Sequence, residues 1–420
     1  MSEGSRTTLV IVCGLSQDAV RTVVNQREFR ARGQAVIHHD LGNAAEGVVR
    51  RTLRVHGCEQ ETVLELARCC VSCTLREDLL PLLMELARRP SIQRIVLRLD
   101  PSLEPEEICW ALEHVVLNGT VVLDHLDIEA VITAIDHQHW LEQASGDEPL
   151  DEVGAAYGLG VLDEDDRTLA QLVVGQAEFA DALVLSGAAP DAWTSARTMA
   201  VLDRLAPRAA RMPLAELDVP RLLARVPADS RLGAVDDAHG PLLRGQPPLH
   251  PDSGVSTVLF EQRRPFHPER LHEAIDVLLD GVVRSRGRVW LASQPDVVLW
   301  LESAGGGLRV GHAGAWLAGL GDDSWAQVDA DRRAMAALRW DAEYGDRAQE
   351  LVVIAHRADP EEIVTALNGA LLTDEELATG WQAWLSLPDP FGYWHSDPCA
   401  EGDPERGGLG VESGNGKDDR

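Results

Sequence analysis

The chain is poor in bases, in long apolar runs and in cysteine. Its 38 lysines and arginines stand against 68 acids, a formal net charge of −30. That deficit argues against a broad basic face for nucleic acid, whose phosphates bind by being neutralised. Contact with an RNA-rich assembly would then run through the basic proteins on it. The same acidity also fits a plain solubility device, and both readings stand. No stretch approaches the ~20 apolar residues that span a bilayer. The run Leu9-Val10-Ile11-Val12-Cys13-Gly14-Leu15 is short and follows Glu3 as well as Arg6, so it predicts a buried first strand rather than a signal peptide. Seven cysteines, an odd number with three of them clustered, do not make a disulfide framework, and a reducing cytoplasm is expected. There is no internal repeat, Ser-His-Asp arrangement or carboxylate dyad, and His137 and His139 fit no ligand pair at helical spacing.

What is present is an organised pattern. At 420 residues and 45% apolar, the chain predicts two or three domains. Residues 7–187 alternate apolar strands with helical patterns, which predicts a parallel sheet covered by helices. Strands are expected at 9–13, 34–39, 94–99, 128–135 and 182–185, and helices at 18–30, 59–68, 76–88 and 171–180, with another starting near Pro105. Residues 188–254 read as a connection containing some helix, because Ala, Arg, Pro and Asp dominate and 240–251 is rich in Pro and Gly. A second unit, 255–399, opens with a strand at 255–260. Its first helix has Pro268 at the first position and an apolar stripe running to Val282. Strands at 288–292, 297–303, 308–312 and 350–355 and a helix capped by Asp359 complete a compact α+β layer with helices on one face. The tail, 400–420, has six glycines and almost nothing apolar, which predicts disorder.

The most chemically loaded stretch is Arg68-Cys69-Cys70-Val71-Ser72-Cys73-Thr74-Leu75-Arg76-Glu77-Asp78. Thr74 is placed to cap the following helix, with Glu77 completing a capping box and Asp78 favouring the first turn. Thiolates at such a terminus gain acidity and become better metal ligands. Cys69, Cys70 and Cys73 are therefore the candidate metal residues. Zinc takes four ligands, or three and a water, and His38, His39 and the His56-Gly57-Cys58 stretch are the candidates for the remainder. The alternative is a set of reduced cysteines packed at a strand–helix junction. Cys13 and Cys109 lie in apolar surroundings and read as core thiols. Cys399 is isolated beside Trp394 and His395.

This segment resembles the C-x-C-C-T-L-R-x-D-L-L signature of the CobW-like GTPases, proteins tied to metal delivery, with Ser72 replacing the middle cysteine. The second half is similar as well, through Phe266-His267-Pro268-Glu269-Arg270-Leu271, Gly281 to Gly287, Trp290, Ala304-Gly305-Gly306, Gly345-Asp346-Arg347 and Leu371 to Glu376. The resemblance implies an α/β fold: a P-loop GTPase-like parallel sheet in 1–187, then a small α+β CobW-type C-terminal domain. The nucleotide motifs depart from the family. Where the family has G-x-x-x-x-G-K-T, which cradles phosphates and Mg²⁺, this chain has Gly14-Leu15-Ser16-Gln17-Asp18-Ala19-Val20-Arg21. The E-x-x-G-x-x-x-P motif aligns with Arg98 to Pro105, and N-K-x-D with Ser186-Gly187-Ala188-Ala189, which offers guanine no carboxylate. The family's GTP is thus expected to bind weakly or not at all, with little or no hydrolysis and no catalytic residue carried over. Arg21 or Arg98 either holds an anion or is an ordinary surface or salt-bridged arginine.

Within that family, Cys-Val-Ser-Cys-Thr-Leu-Arg, the 175–181 and 263–268 stretches and Phe391-Gly392-Tyr393-Trp394-His395 are similar to a subgroup produced under zinc starvation. That likeness implies an adaptor that recruits a ribosome hibernation factor to the small ribosomal subunit. The family at large implies the alternative, a GTP-dependent zinc metallochaperone. The Phe391 to His395 stretch reads either as a partner anchor or as a tail packed on its own domain.

Overall fold

The structure, a computed structural model, describes residues 6–65, 71–160 and 165–392, with 71–74, 322 and 323 described by backbone alone. Eight strands form the first sheet: β1 (Thr7–Cys13), β2 (Gln34–Asp40), β3 (Val48–Val55), β4 (Cys58–Glu65), β5 (Arg94–Arg98), β6 (Leu126–Asp136), β7 (Ala182–Ser186) and β8 (Ala210–Pro213). Their order is β4-β3-β2-β5-β1-β6-β7-β8. From β2 to β8 every neighbouring pair is parallel, while β2–β3 and β3–β4 are antiparallel.

The two-residue period of a strand divides the core. Leu9, Ile11 and Cys13 of β1 pack with Ile37 and with Leu79 and Leu83 of the helix Val71–Ala87. Val10 and Val12 pack on the other face with Val20 and Val23 of the helix Gln17–Val24. Cys13 and Cys109 are fully buried, as core thiols should be. Burial pushes Cys13 up to about 12, despite its contact with Thr133, and raises Cys109 too.

Several expectations are corrected. Of the helix expected at 59–68, residues 59–65 are strand instead and 66–68 fall outside the described residues: β4 folds back on β3 around His56 and Gly57, both with positive φ (52° and 83°), the geometry of a tight hairpin turn. The cysteine-bearing helix starts at Val71, so Thr74 lies inside it and cannot be its cap. The connection expected at 188–254 gives its first part to the sheet, because the helix Ala192–Leu205 leads into β8 beside β7.

The second sheet is antiparallel, with order β12-β11-β10-β13-β9. Its strands are β9 (Ser256–Gln262), β10 (Val282–Val289), β11 (Val297–Ala304), β12 (Gly307–Ala315) and β13 (Gln349–Ala355). The helix expected to reach Val282 is shorter, Pro268–Ala274 plus a 3-10 turn Ile275–Leu278. Val282 instead opens β10, which ends at Val289 rather than spanning 288–292. The helices Pro268–Ala274 and Pro360–Ala370 cover one face. On the other, Val283, Ala304 and Ile354 join Leu172 and Val173 of the helix Leu169–Glu178, so one apolar cluster spans both sheets. Among the described residues, no helix is long and apolar enough to cross a membrane.

Candidate nucleotide and metal site

Parallel sheets present ligand sites at the carboxyl ends of their strands. β1 ends at Cys13, and the turn that follows is tight. Gly14 has φ +140°, and a Cβ there would lie 2.4 Å from the Ala134 carbonyl oxygen. The helix starts at Gln17, with the Ser16 hydroxyl accepting from the Ala19 N–H (3.4 Å). The backbone that would loop around a phosphate is already helical. Val20, at the lysine position, is 2% exposed and points into the apolar cluster under β1. Asp18 and Arg21 pair with each other on the surface.

Around this turn the polar groups answer one another. Asp100, at the end of β5, is buried and accepts from the N–H of Leu41 (2.9 Å), the N–H of Ser102 (3.0 Å) and the Ser102 hydroxyl (2.7 Å). It braces the ends of β2 and β5 against each other. Arg98 keeps a buried Nε without a partner among the described residues. Burial, and then the neighbouring Arg21, make its charge less favourable than usual. Gln17 donates to the Gly158 carbonyl (3.5 Å), and Gly160 lies so close to Leu41 that a Cβ would meet its oxygen at 1.5 Å. Residues 158–160 are thus laid between the start of the helix and the end of β2. At the end of β7, Ser186 donates to the Ile135 carbonyl (3.2 Å). The carboxylate that reaches this corner is Asp136, held by His139 (2.8 Å) and the Gln138 N–H (3.1 Å). A guanine nucleotide with Mg²⁺ does not fit the described residues of this corner: among them the phosphate loop, the lysine, the metal hydroxyl and a free base-reading acid are all missing.

The other face is different. The chain leaves β4 at Glu65, opposite Val48, and the helix Val71–Ala87 starts soon after. Cys73 lies in its first turn. Cys69 and Cys70 fall outside the described residues, as do Tyr393, Trp394, His395, Cys399 and the tail. One turn on from Cys73, Asp78 accepts from His39 Nε2 (2.8 Å) and Arg51 Nη1 (2.5 Å), and Arg51 also donates to Thr62 (3.1 Å). Burial raises the Asp78 carboxyl, but the hydrogen bonds from His39 and Arg51 outweigh it and hold the group below its ordinary value. His39 is 2% exposed, and its Nδ1 is buried with no partner among the described residues.

The proposed helpers separate on this geometry. His39 faces the cysteine helix. His38, its neighbour on β2, must face the opposite way; its Nδ1 meets the Arg98 carbonyl (3.2 Å), and burial with Arg98 drops it to about 4. His56 and Cys58 sit at the β3–β4 turn, beside Ala35, whereas the helix meets these strands at His39 and Arg51 through Asp78. Four residues of strand, about 13 Å, separate that contact from the turn. Among the described residues, no three His, Cys, Asp or Glu side chains form a metal-sized group. Sequence reasoning missed the Asp78–His39–Arg51 pin. The alternation of β2 was its available signal, since it puts His39 with Ile37 on the face of the cysteine helix.

Residues 19–210 match the CobW/HypB/UreG nucleotide-binding domain, and 255–371 match the cobalamin synthesis protein CobW C-terminal domain. A Mycobacterium tuberculosis protein named zinc chaperone Rv0106 is 46% identical over 404 residues, covering 94% of this chain and 95% of its own. The chain belongs to the CobW family. A more distant relative is the zinc-regulated GTPase metalloprotein activator 1 of Dictyostelium discoideum, 27% identical over 79% of this chain and 70% of its own. Zn(II)-bound YjiA GTPase from E. coli covers 88% of this chain and 100% of its own at 14% identity, with a TM-score of 0.34. The CobW nucleotide-binding match begins at Ala19, beyond the turn that would hold phosphate, and ends in β8.

Proposed function

We propose that this CobW-family protein is a cytoplasmic zinc chaperone that works without ordinary GTP hydrolysis. The cargo is Zn²⁺, taken by the thiolates of Cys70 and Cys73 with Cys69 beside them. The observation that carries the reading is the likeness, over nearly the whole chain, to a protein named as a zinc chaperone. The pinned helix supports it: Cys73 sits in the first turn, where unpaired N–H groups stabilise a thiolate, and one turn on Asp78 is tied to the sheet by His39 and Arg51. Because thiols must lose their protons to bind zinc, lowering the pH releases the ion. Competition with a chromophoric chelator tests this: at most one zinc per chain, lost in Cys70→Ala/Cys73→Ala. A double variant with full zinc content would overturn the reading.

A second reading, in the likeness of the Mpy recruitment factor, is an adaptor between a ribosome hibernation factor and the small ribosomal subunit. One observation favours it. The helix Ala330–Leu338 has no buried residue, and Ala330, Ala334, Ala337 and Leu338 (82% exposed) line one side of it in water. Such a stripe at helical spacing suits a protein partner. Ribosome sedimentation with and without the hibernation factor, using Leu338→Glu, is the test. Recruitment unaffected by that change removes the support.

A further inference from the structure

Where the two sheets meet, a cavity of about 110 Å³ is lined by six arginines: Arg204, Arg208, Arg231, Arg244, Arg284 and Arg286. In a chain of net charge −30 this is a local reversal. The carboxylates on the same wall are Glu178, Asp181 and Asp229. Glu178 pairs with Arg284 (3.0 Å) and Arg286 (2.7 Å), and Asp229 with Arg208. Asp181 is taken by the backbone N–H groups of Val131 and Leu232, both at 2.9 Å. From behind the wall, Asp236 serves Arg231 (3.0 Å) and Arg244, and Glu302 reaches Arg284 (3.3 Å).

Arg204 is left over. It is 4% exposed, yet it donates only to Thr257 Oγ1 (3.1 Å) and the carbonyls of Ala200 (2.8 Å) and His250 (2.6 Å). Its nearest acids, Asp203 and Asp252, act from beyond ion-pair range, and Asp203 is paired with Arg211. A buried guanidinium without a counter-ion is costly, and two of its five N–H groups are uncommitted. Two more polar atoms on this wall, Ser230 Oγ and Arg284 Nε, are buried with no hydrogen-bond partner among the described residues. An uncompensated cation and two orphaned donors in the lining of one cavity define what is missing. It is an anion with several acceptor oxygens.

We propose that this junction cavity binds a phosphate group, either inorganic phosphate or the phosphoryl end of a small polyphosphate. Guanidinium forks match phosphate oxygens, and a cavity of about 110 Å³ has room for such a group. The site lies apart from the β1 turn and does not depend on the zinc reading. Because its walls come from β10 and β13 of the second sheet and from helices and loops packed beside the first, a bound phosphate ties the two units together.

Thermal unfolding of the full chain in sodium phosphate, in sodium pyrophosphate and in sodium chloride at equal ionic strength is the test. Phosphate raises the midpoint saturably where chloride does not, and a tighter response to pyrophosphate identifies a polyphosphate as the source. Ser230→Ala, which removes only one orphaned hydroxyl, weakens phosphate about tenfold with the ligand-free midpoint unchanged. Arg204→Gln abolishes the response, and Arg98→Gln, at the β5 end, leaves it intact. A response no larger than chloride's, or one that Ser230→Ala leaves untouched, overturns the proposal.

Discussion

Two strand-to-helix junctions stand on opposite faces of the same sheet, and they have been treated in opposite ways. After β1, the helix Gln17–Val24 is seated by an apolar stripe, Ala19, Val20, Val23 and Val24. After β4, the helix Val71–Ala87 is seated by leucines and also pinned by one carboxylate that holds His39 and Arg51. A helix N-terminus attracts anions only where its N–H groups face an accessible space. The first junction has closed that space with its own side chains. The second has kept a polar seat beneath a turn that carries thiol.

The comparison can be broken at either junction. The largest effect is expected on zinc. Cys70→Ala/Cys73→Ala removes the bound ion, while Val20→Lys leaves zinc content unchanged, as elemental analysis of the purified chains measures. Next is stability at the sealed junction. Val20→Lys buries a charge with no partner and costs at least about 3 kcal/mol, read from urea unfolding, without giving micromolar GTP binding by calorimetry. A guanine-specific micromolar constant in the native chain would dissolve the contrast altogether.

Smaller, and informative about the pin, is Asp78→Ala. It strands His39 and Arg51 beneath the helix and costs about 2–4 kcal/mol. Because the Asp78 carboxyl titrates lower in the folded chain than in the unfolded one, its contribution is complete above about pH 4. It fades as pH falls through the lower folded value. The variant should therefore show a shallower loss of stability under acid than the native chain. The smallest effect is expected at Leu338→Glu, which should move stability by no more than about 0.5 kcal/mol.

Much of this contrast was legible beforehand. Val20 and Arg21 stand at the lysine and hydroxyl positions of the family's phosphate loop, a departure visible in the sequence, and the structure buries Val20. The central strands announced themselves as continuous apolar runs, because parallel strands are covered on both faces. β4 did not, since an exposed hairpin strand carries alternating charge that also suits a helix surface. The capping pattern at Thr74 and Glu77 is a local signal, and the helix extended past it to Val71. β8 is only four residues long and owes its place to β7, a neighbour distant in sequence. The pin depends on Arg51, His39 and Asp78, which come from three separate elements.

The misread hairpin also gives the chain's acidity a local use. β4 is the last strand of its sheet, and an edge strand offers unpaired N–H and C=O groups as a template for a stray chain to zip onto. Glu59, Glu61 and Glu65 stand along it, with Val63 (61% exposed) the apolar interruption in that alternating row. Two such edges approaching each other would bring like charges into register before any backbone bond could form. Part of the acidic surplus thereby works as a gatekeeper against fibril-like pairing of crowded copies.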